Sequence, residues 1–374
     1  MPRSKFRNDK RLLEKMHSAG LDALVAFSME NLFYLSGAFM TIQEMIRDRL
    51  SAAGITADGR DFFICDRNER SVAESEAWVG ELRDYVEFQG NALETLAALL
   101  RDYGLDRAVV GIEKRYLMAQ YYEELQRLLP RARLVGCDEV LEQARAVKTP
   151  EHIEIIRRIN CITEEVIAQT FQETRRGETE KEMAFRLNGN LLKAGADVVR
   201  FLILTAGDNA RHAHPYPGDK VLQPGDIIRI DAGGLFQGHG SDIGRMGVVG
   251  EPSPAQRDHY RIHRESQRET ALGLKPGTRV CDVYQNCVRA YAGHGVEYRR
   301  QHIGHSLSVL GGHDYPMLHP RNEAVLEENM VIALEPIFND AAGRRYTVED
   351  IIRVAENPEI LTTATDTTEL YRVN

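Results

Sequence analysis

The chain has 374 residues, 43% hydrophobic, 28% charged and 7% aromatic, the make-up of an ordinary globular protein, and its length predicts two domains. A formal charge of -9, with acidic and basic residues interspersed, offers no basic stripe for phosphates and excludes nucleic acid as the expected partner. The longest apolar runs, such as residues 23–27 and 201–204, fall far short of the roughly 18 residues of a membrane span, so no membrane partner is expected.

The stretch 1–15 is basic but carries Asp9 and Glu14 and leads to no apolar core with a cleavage site, which predicts a cytoplasmic protein. Residues 9–19 place Leu12, Leu13 and Met16 on one helical face, and after the Gly20 break residues 21–27 read as a short strand. Between Met40 and Gly54, Ile42, Met45, Ile46 and Leu50 recur at helical spacing, predicting an amphipathic helix with no strand before Phe62. Residues 62–65 and 108–112 are further strands, between helices over 94–101 and 116–128. The first third therefore reads as a small α/β domain, residues 1–148. The five cysteines are odd in number and contain no C-x-x-C pair, so reduced thiols are expected rather than disulfides or a thiolate zinc site.

Lys148-Thr149-Pro150-Glu151 marks the boundary: Thr149 can cap a helix, Pro150 suits its first position and Glu151 complements its positive end. That helix is expected to run to about Thr174. A second opens at Thr179, where Glu182 completes a capping box, and closes near Gly195. Strand-like runs at 201–205, 226–231, 242–249, 330–336 and 346–354 follow, separated by turns such as Pro224-Gly225. Residues 149–374 thus predict a larger α+β domain with a mostly antiparallel sheet.

Carboxylates stand where this second domain reads as buried. Asp231 ends the run Ile227, Ile228, Ile230, and Glu335 ends Val331, Ile332, Leu334; Asp242 and Glu349 open apolar segments. Carboxylates are rarely buried unpaired, and several sharing one pocket must be protonated or matched by cations. An oxygen-rich set with one imidazole, His305 after Gly304, suits manganese, iron, cobalt or zinc, and two ions carry the charge to balance four carboxylates.

Residues 225–233, 241–245, 303–305, 334–336 and 348–350 resemble, in order, the five ligand motifs of the pita-bread metallohydrolases, the group of prolidase, aminopeptidase P, methionine aminopeptidase and creatinase. The eleven-residue step from Asp231 to Asp242 agrees. Gly20-Leu21-Asp22-Ala23-Leu24 and residues 31–37 resemble the creatinase/prolidase amino-terminal domain. The resemblance implies a carboxy-terminal pita-bread fold with a curved, mostly antiparallel sheet and flanking helices. It implies two divalent metal ions, manganese ahead of cobalt, iron or zinc. Asp231 then holds one ion, Asp242 and Glu349 bridge both, and His305 and Glu335 complete the second, with a hydroxide between the metals as nucleophile. Glu335 is the implied proton acceptor, and His214 and His313 the implied substrate-facing histidines. Arg245 fits an arginine that often follows the second aspartate, as a structural ion pair or a catalytic group. His212, His239 and His302 are expected to be solvated or packed.

Three departures bear on substrate. His313 follows His305 by eight positions where seven is usual, so the intervening loop must bulge or shift. Ile337 replaces the usual glycine after Glu335-Pro336, and Thr347 stands where these peptidases commonly carry a supporting arginine; Arg345 and Arg353 are the candidates to replace it. The expected activity is hydrolysis of the amide before proline in a dipeptide or short peptide. The alternatives are a non-peptide small-molecule hydrolase or lyase of creatinase or ectoine-hydrolase type, and, in another class, an inactive binding module. A homodimer is expected, with the amphipathic segment from Met40 to Gly54 covering a partner's site or packing on its own domain.

Overall fold

A computed structural model of the chain describes residues 5–374; residues 1–4, part of the basic start of the chain, lie outside the described residues. The chain divides into two compact units, one ending at Arg145 and one beginning at Ala146.

The first unit is built on strands β1 (Ala23–Ala26), β2 (Ala52–Thr56), β3 (Asp61–Asp66), β4 (Glu81–Tyr85), β5 (Val109–Ile112) and β6 (Arg133–Gly136). They form one mixed sheet in the order β4-β3-β2-β1-β5-β6, with β1, β5 and β6 parallel. Helices Ala92–Asp102 and Ala119–Leu128 lay Leu93, Leu96, Leu100 and Leu125 into its core. The helix predicted over 40–54 is corrected here. Only Ile42–Met45 is helical, and Ala52–Thr56 is a central strand between β1 and β3. The periodicity was overridden by tertiary pairing. Buried Gln43 donates to the Phe27 carbonyl at 2.5 Å and accepts from Ser51 N–H at 2.7 Å, which turns the polypeptide into β2, while Met45 is 83% exposed.

The second unit opens with the predicted helix Pro150–Glu173, capped by Thr149 with Pro150 in its first turn, then Glu180–Lys193 with the Thr179/Glu182 capping box formed. Strands β7 (Val198–Ala206), β8 (Ile227–Phe236), β9 (His239–Gly240) and β10 (Ile243–Val249) come next. Helices Pro254–Ala271 and Val280–Gly293 follow. Neither is among the predicted elements, although the first is announced in the sequence by the Ser253/Gln256 capping box with Pro254 in its first turn. The remaining strands are β11 (Gly304–Leu307), β12 (His313–Met317), β13 (Val331–Leu334), β14 (Phe338–Asn339), β15 (Arg345–Tyr346), β16 (Asp350–Arg353), β17 (Glu359–Ile360) and β18 (Tyr371–Val373).

These strands make two larger sheets, β18-β10-β8-β7 and β12-β11-β13-β16-β17, antiparallel except where β10 meets β18. The run predicted as one strand over 346–354 is two: Arg345–Tyr346 pairs with β14 in a separate ribbon, and Asp350–Arg353 joins the second sheet. Between them Glu349 leaves its own sheet and bridges Gly244 on β10, its N–H donating to the Gly244 carbonyl at 3.0 Å. A β-carbon on Gly244 would sit 3.0 Å from the Glu349 β-carbon, so glycine there lets the sheets close on each other. That contact brings the carboxylate-bearing strand ends together.

Candidate metal centre

Each sheet supplies part of the site. Asp231 sits in mid-β8 opposite Gly244, and Asp242 directly precedes β10. His305 lies on β11, Glu335 follows β13 and Glu349 precedes β16. All five line one cavity of about 520 Å³, together with His214, His302, Arg300 and His313. Asp242, His305 and Glu349 form a fully buried group, each offering a ligand atom within 4.8 Å of the other two, and His305, His313 and Glu335 form a second group by the same measure. His305 Nε2 is 3.8 Å from Asp242 Oδ2 and 3.7 Å from Glu349 Oε1. Its Nδ1 lies 3.0 Å from the Ser306 carbonyl; donation there assigns the proton to Nδ1 and turns the Nε2 lone pair toward the two carboxylates.

The electrostatics call for a cation. Burial, then the charges of Asp231 and Glu335, pushes Asp242 well above the carboxylate range. Burial, then Asp242, does the same to Glu349. Asp231 is pushed up to about 6 by burial and by Glu335, against the pull of Arg229 and Arg300. Burial and neighbouring cations hold His305 down to about 4, which favours the neutral, ligating imidazole. A dication among these groups reverses the penalty on every carboxylate, so the residues present fit divalent metal. Glu335 goes the other way: burial raises it, but Arg300, His305 and His302 together outweigh burial and leave it below its ordinary value.

His313 closes on the site from β12, its ring 4.2 Å from that of His305 and within ligating distance of His305 and Glu335. The β11–β12 register shifts between His305 and Ser306, with the additional residues on β12 after Asp314, and the Gly312 N–H donates to Asp242 Oδ2 at 3.1 Å. His214 lies at the exposed rim; burial of its ring and the charge of Arg229 lower its pKa.

Several residues differ from expectation. His302, read as solvated or packed, lines the cavity with Nδ1 3.8 Å from Glu335 Oε1. Neither candidate replacement for the arginine missing at Thr347 reaches a ligand by a hydrogen bond: Arg345 donates to the Arg211 carbonyl, and Arg353 pairs with Glu359. The arginine that does bond a candidate ligand is Arg300, and nothing local to its sequence announced it, because its contact with Glu335 spans 35 residues. Arg229 carried a legible signal: two residues before Asp231 on one strand, it shares that residue's face. Arg245 is a structural pair, fully buried, bound to Glu164 and Asp350 and donating to the Glu349 carbonyl at 2.6 Å.

Residues 154–356 match the model of metallopeptidase family M24, and residues 10–147 that of the creatinase/prolidase N-terminal domain. An Xaa-Pro dipeptidase of Pyrococcus horikoshii is 28% identical over 354 residues, covering 93% of this chain and 94% of the relative. The crystal structure of dipeptidase PepE from Mycobacterium ulcerans superposes with a TM-score of 0.82 at 25% identity, covering 97% of each chain. That of an X-Pro aminopeptidase from Thermotoga maritima shares the fold with a TM-score of 0.82 at 24% identity, over 96% of this chain and 100% of the other.

Proposed function

The chain belongs to metallopeptidase family M24, and on that premise we propose that it hydrolyses the amide bond before proline in Xaa-Pro dipeptides or short peptides. The observation that carries this reading is the cluster of Asp242, His305 and Glu349, buried with Asp231 and Glu335 in one cavity where carboxylates lack enough compensating charge. Asp231, Asp242, His305, Glu335 and Glu349 hold two divalent ions, manganese foremost. Asp242 and Glu349 would serve both. Held there, divalent ions would supply Lewis-acid chemistry for the scissile carbonyl and the attacking water.

The protein's own groups do the rest. Glu335, kept ionised by Arg300, accepts the proton released on attack and passes it to the leaving nitrogen. His313 and His214 approach the same space from β12 and the rim, where a ring N–H stabilises the negative charge developing on the carbonyl oxygen. The protein acts in the cytoplasm as a homodimer.

A second reading, a non-peptide amide as substrate, rests on the shifted β11–β12 register beside His305 and on Thr347 in place of the supporting arginine, departures that leave all five candidate ligands present. One experiment separates the two: elemental analysis of the purified protein, followed by a screen of Xaa-Pro dipeptides against small non-prolyl amides. Release of proline only by the metal-loaded protein supports the peptidase reading. A loaded protein that leaves every Xaa-Pro bond intact overturns it.

A further inference from the structure

Helix Pro254–Ala271 contributes no lining residue to the cavity, yet one of its side chains reaches behind two of the candidate ligands. Gln267 is 1% exposed, and its Nε2 donates to the Leu334 carbonyl at 2.8 Å and to the Val348 carbonyl at 2.8 Å. These carbonyls belong to the residues immediately before Glu335 and Glu349. The Gln267 Oε1 accepts from Arg264, whose Nη1 also donates to Asp350 Oδ2 at 2.7 Å. Both hydrogens and the acceptor of one buried amide are thereby engaged around the two glutamates.

The position of this contact in the sheet gives it consequence. The β13–β16 ladder ends at the pair Leu334 and Asp350. Beyond it the strands part: Glu335 N–H donates to the Ile303 carbonyl, toward β11, and Glu349 N–H to the Gly244 carbonyl, toward β10. No backbone rung joins Glu335 to Glu349, and the Gln267 amide spans the gap in its place. We infer that Gln267 is a positioning residue that sets the separation of Glu335 and Glu349 and so the affinity of the centre for divalent ions. The inference rests on the reading above, in which both glutamates hold metal. A side chain behind a ligand tunes an ion through the orientation of that ligand, an effect of about 10–100-fold in affinity or activity.

The test needs no substrate. Manganese(II) binding is measured by titration calorimetry on the full chain, for wild type, Gln267→Met, Gln267→Asn and, as a control on the same helix, Ile262→Ala, which removes core packing alone. The expected result is a loss of about 10-fold or more in manganese affinity for Gln267→Met, a smaller one for Gln267→Asn, which keeps the amide on a shorter stem, and wild-type affinity in Ile262→Ala. Turnover, where measured, falls in kcat more than in KM. Should Gln267→Met fail to fold, Gln267→Asn and the control decide. Gln267 variants that melt earlier but bind manganese as tightly as Ile262→Ala overturn the inference alone. A wild-type protein that takes up no divalent ion overturns the metal-centre reading, and this inference with it.

Discussion

Arg300 meets Glu335 with both terminal nitrogens, each 3.1 Å from a carboxylate oxygen, and Nη1 also donates to the Glu335 backbone carbonyl at 2.7 Å. The pair fixes the carboxylate in plane and keeps it charged, since a paired arginine does not deprotonate. Arg300→Gln is expected to cost about 10–100-fold in turnover, the range for a partner standing behind a ligand. Arg300→Lys should recover little, because an ammonium cannot bridge two oxygens in one plane. Steady-state kinetics of both variants on one dipeptide checks this, and wild-type kcat in Arg300→Gln would refute it.

Asp242→Ala and Glu349→Ala are expected to abolish activity and lower metal content, with His305→Ala close behind. Without metal, the same changes remove a carboxyl group that burial and its acidic neighbours hold against ionisation, so the metal-free variants should melt no lower than metal-free wild type. An ion at about 100 times its Kd adds about 2.7 kcal/mol per site to wild type by mass action, and the variants should lose that gain. Melting curves with and without chelator, alongside elemental analysis, test both halves.

His214→Ala and His313→Ala should keep their ions and lose turnover by about 10²-fold, the scale of one donor to a developing oxyanion. His313 is the sharper case because its ring stands among the ligands. Loss of an ion together with activity in His313→Ala would move it into the ligand set.

His263 sets a pH dependence remote from the catalytic step. Fully buried, its Nε2 accepts from the Val348 N–H at 2.7 Å and its Nδ1 meets the Tyr291 hydroxyl at 2.7 Å. Burial, then the charge of Arg264, lowers its pKa to about 3, while Asp350 pulls the other way. An unfolded histidine takes up a proton as pH falls through about 6.5, and the folded one does not until about 3. Its stabilisation is therefore complete above about 6.5 and drains away as pH falls toward 3. Urea midpoints from pH 7.5 to 4.5 should show the margin of wild type over His263→Gln shrinking by at most about 1.4 kcal/mol per pH unit. Carboxylates common to both proteins cancel in that difference. A margin independent of pH would contradict the assignment.

The proposed homodimer has a direct test on the first unit, where Met45 and Ile46 are 83% and 37% exposed beside Arg47. Met45→Glu should lower the mass in solution and reduce activity with metal content unchanged. A wild type that is monomeric and fully active would remove the dimer from the account.

Asp231, Asp242, His305, Glu335 and Glu349 could be picked out as candidates from the chain alone, because four are carboxylates flanking apolar runs and His305 follows a glycine, each with a family motif around it. The Thr149 cap and the Thr179/Glu182 capping box were equally legible, since a cap is decided within four residues. The segment from Met40 to Gly54 was not: its apolar spacing suits a helix, and only a place between β1 and β3 makes Ala52–Thr56 a strand. Arg300 at Glu335, and Gln267 behind Glu335 and Glu349, belong to the same class of fact. A candidate ligand can be named by what it is, whereas the group that holds it is chosen by contacts 35 to 81 residues away along the chain, which only the β11–β13 pairing and the packing of helix Pro254–Ala271 behind that sheet bring within bonding distance.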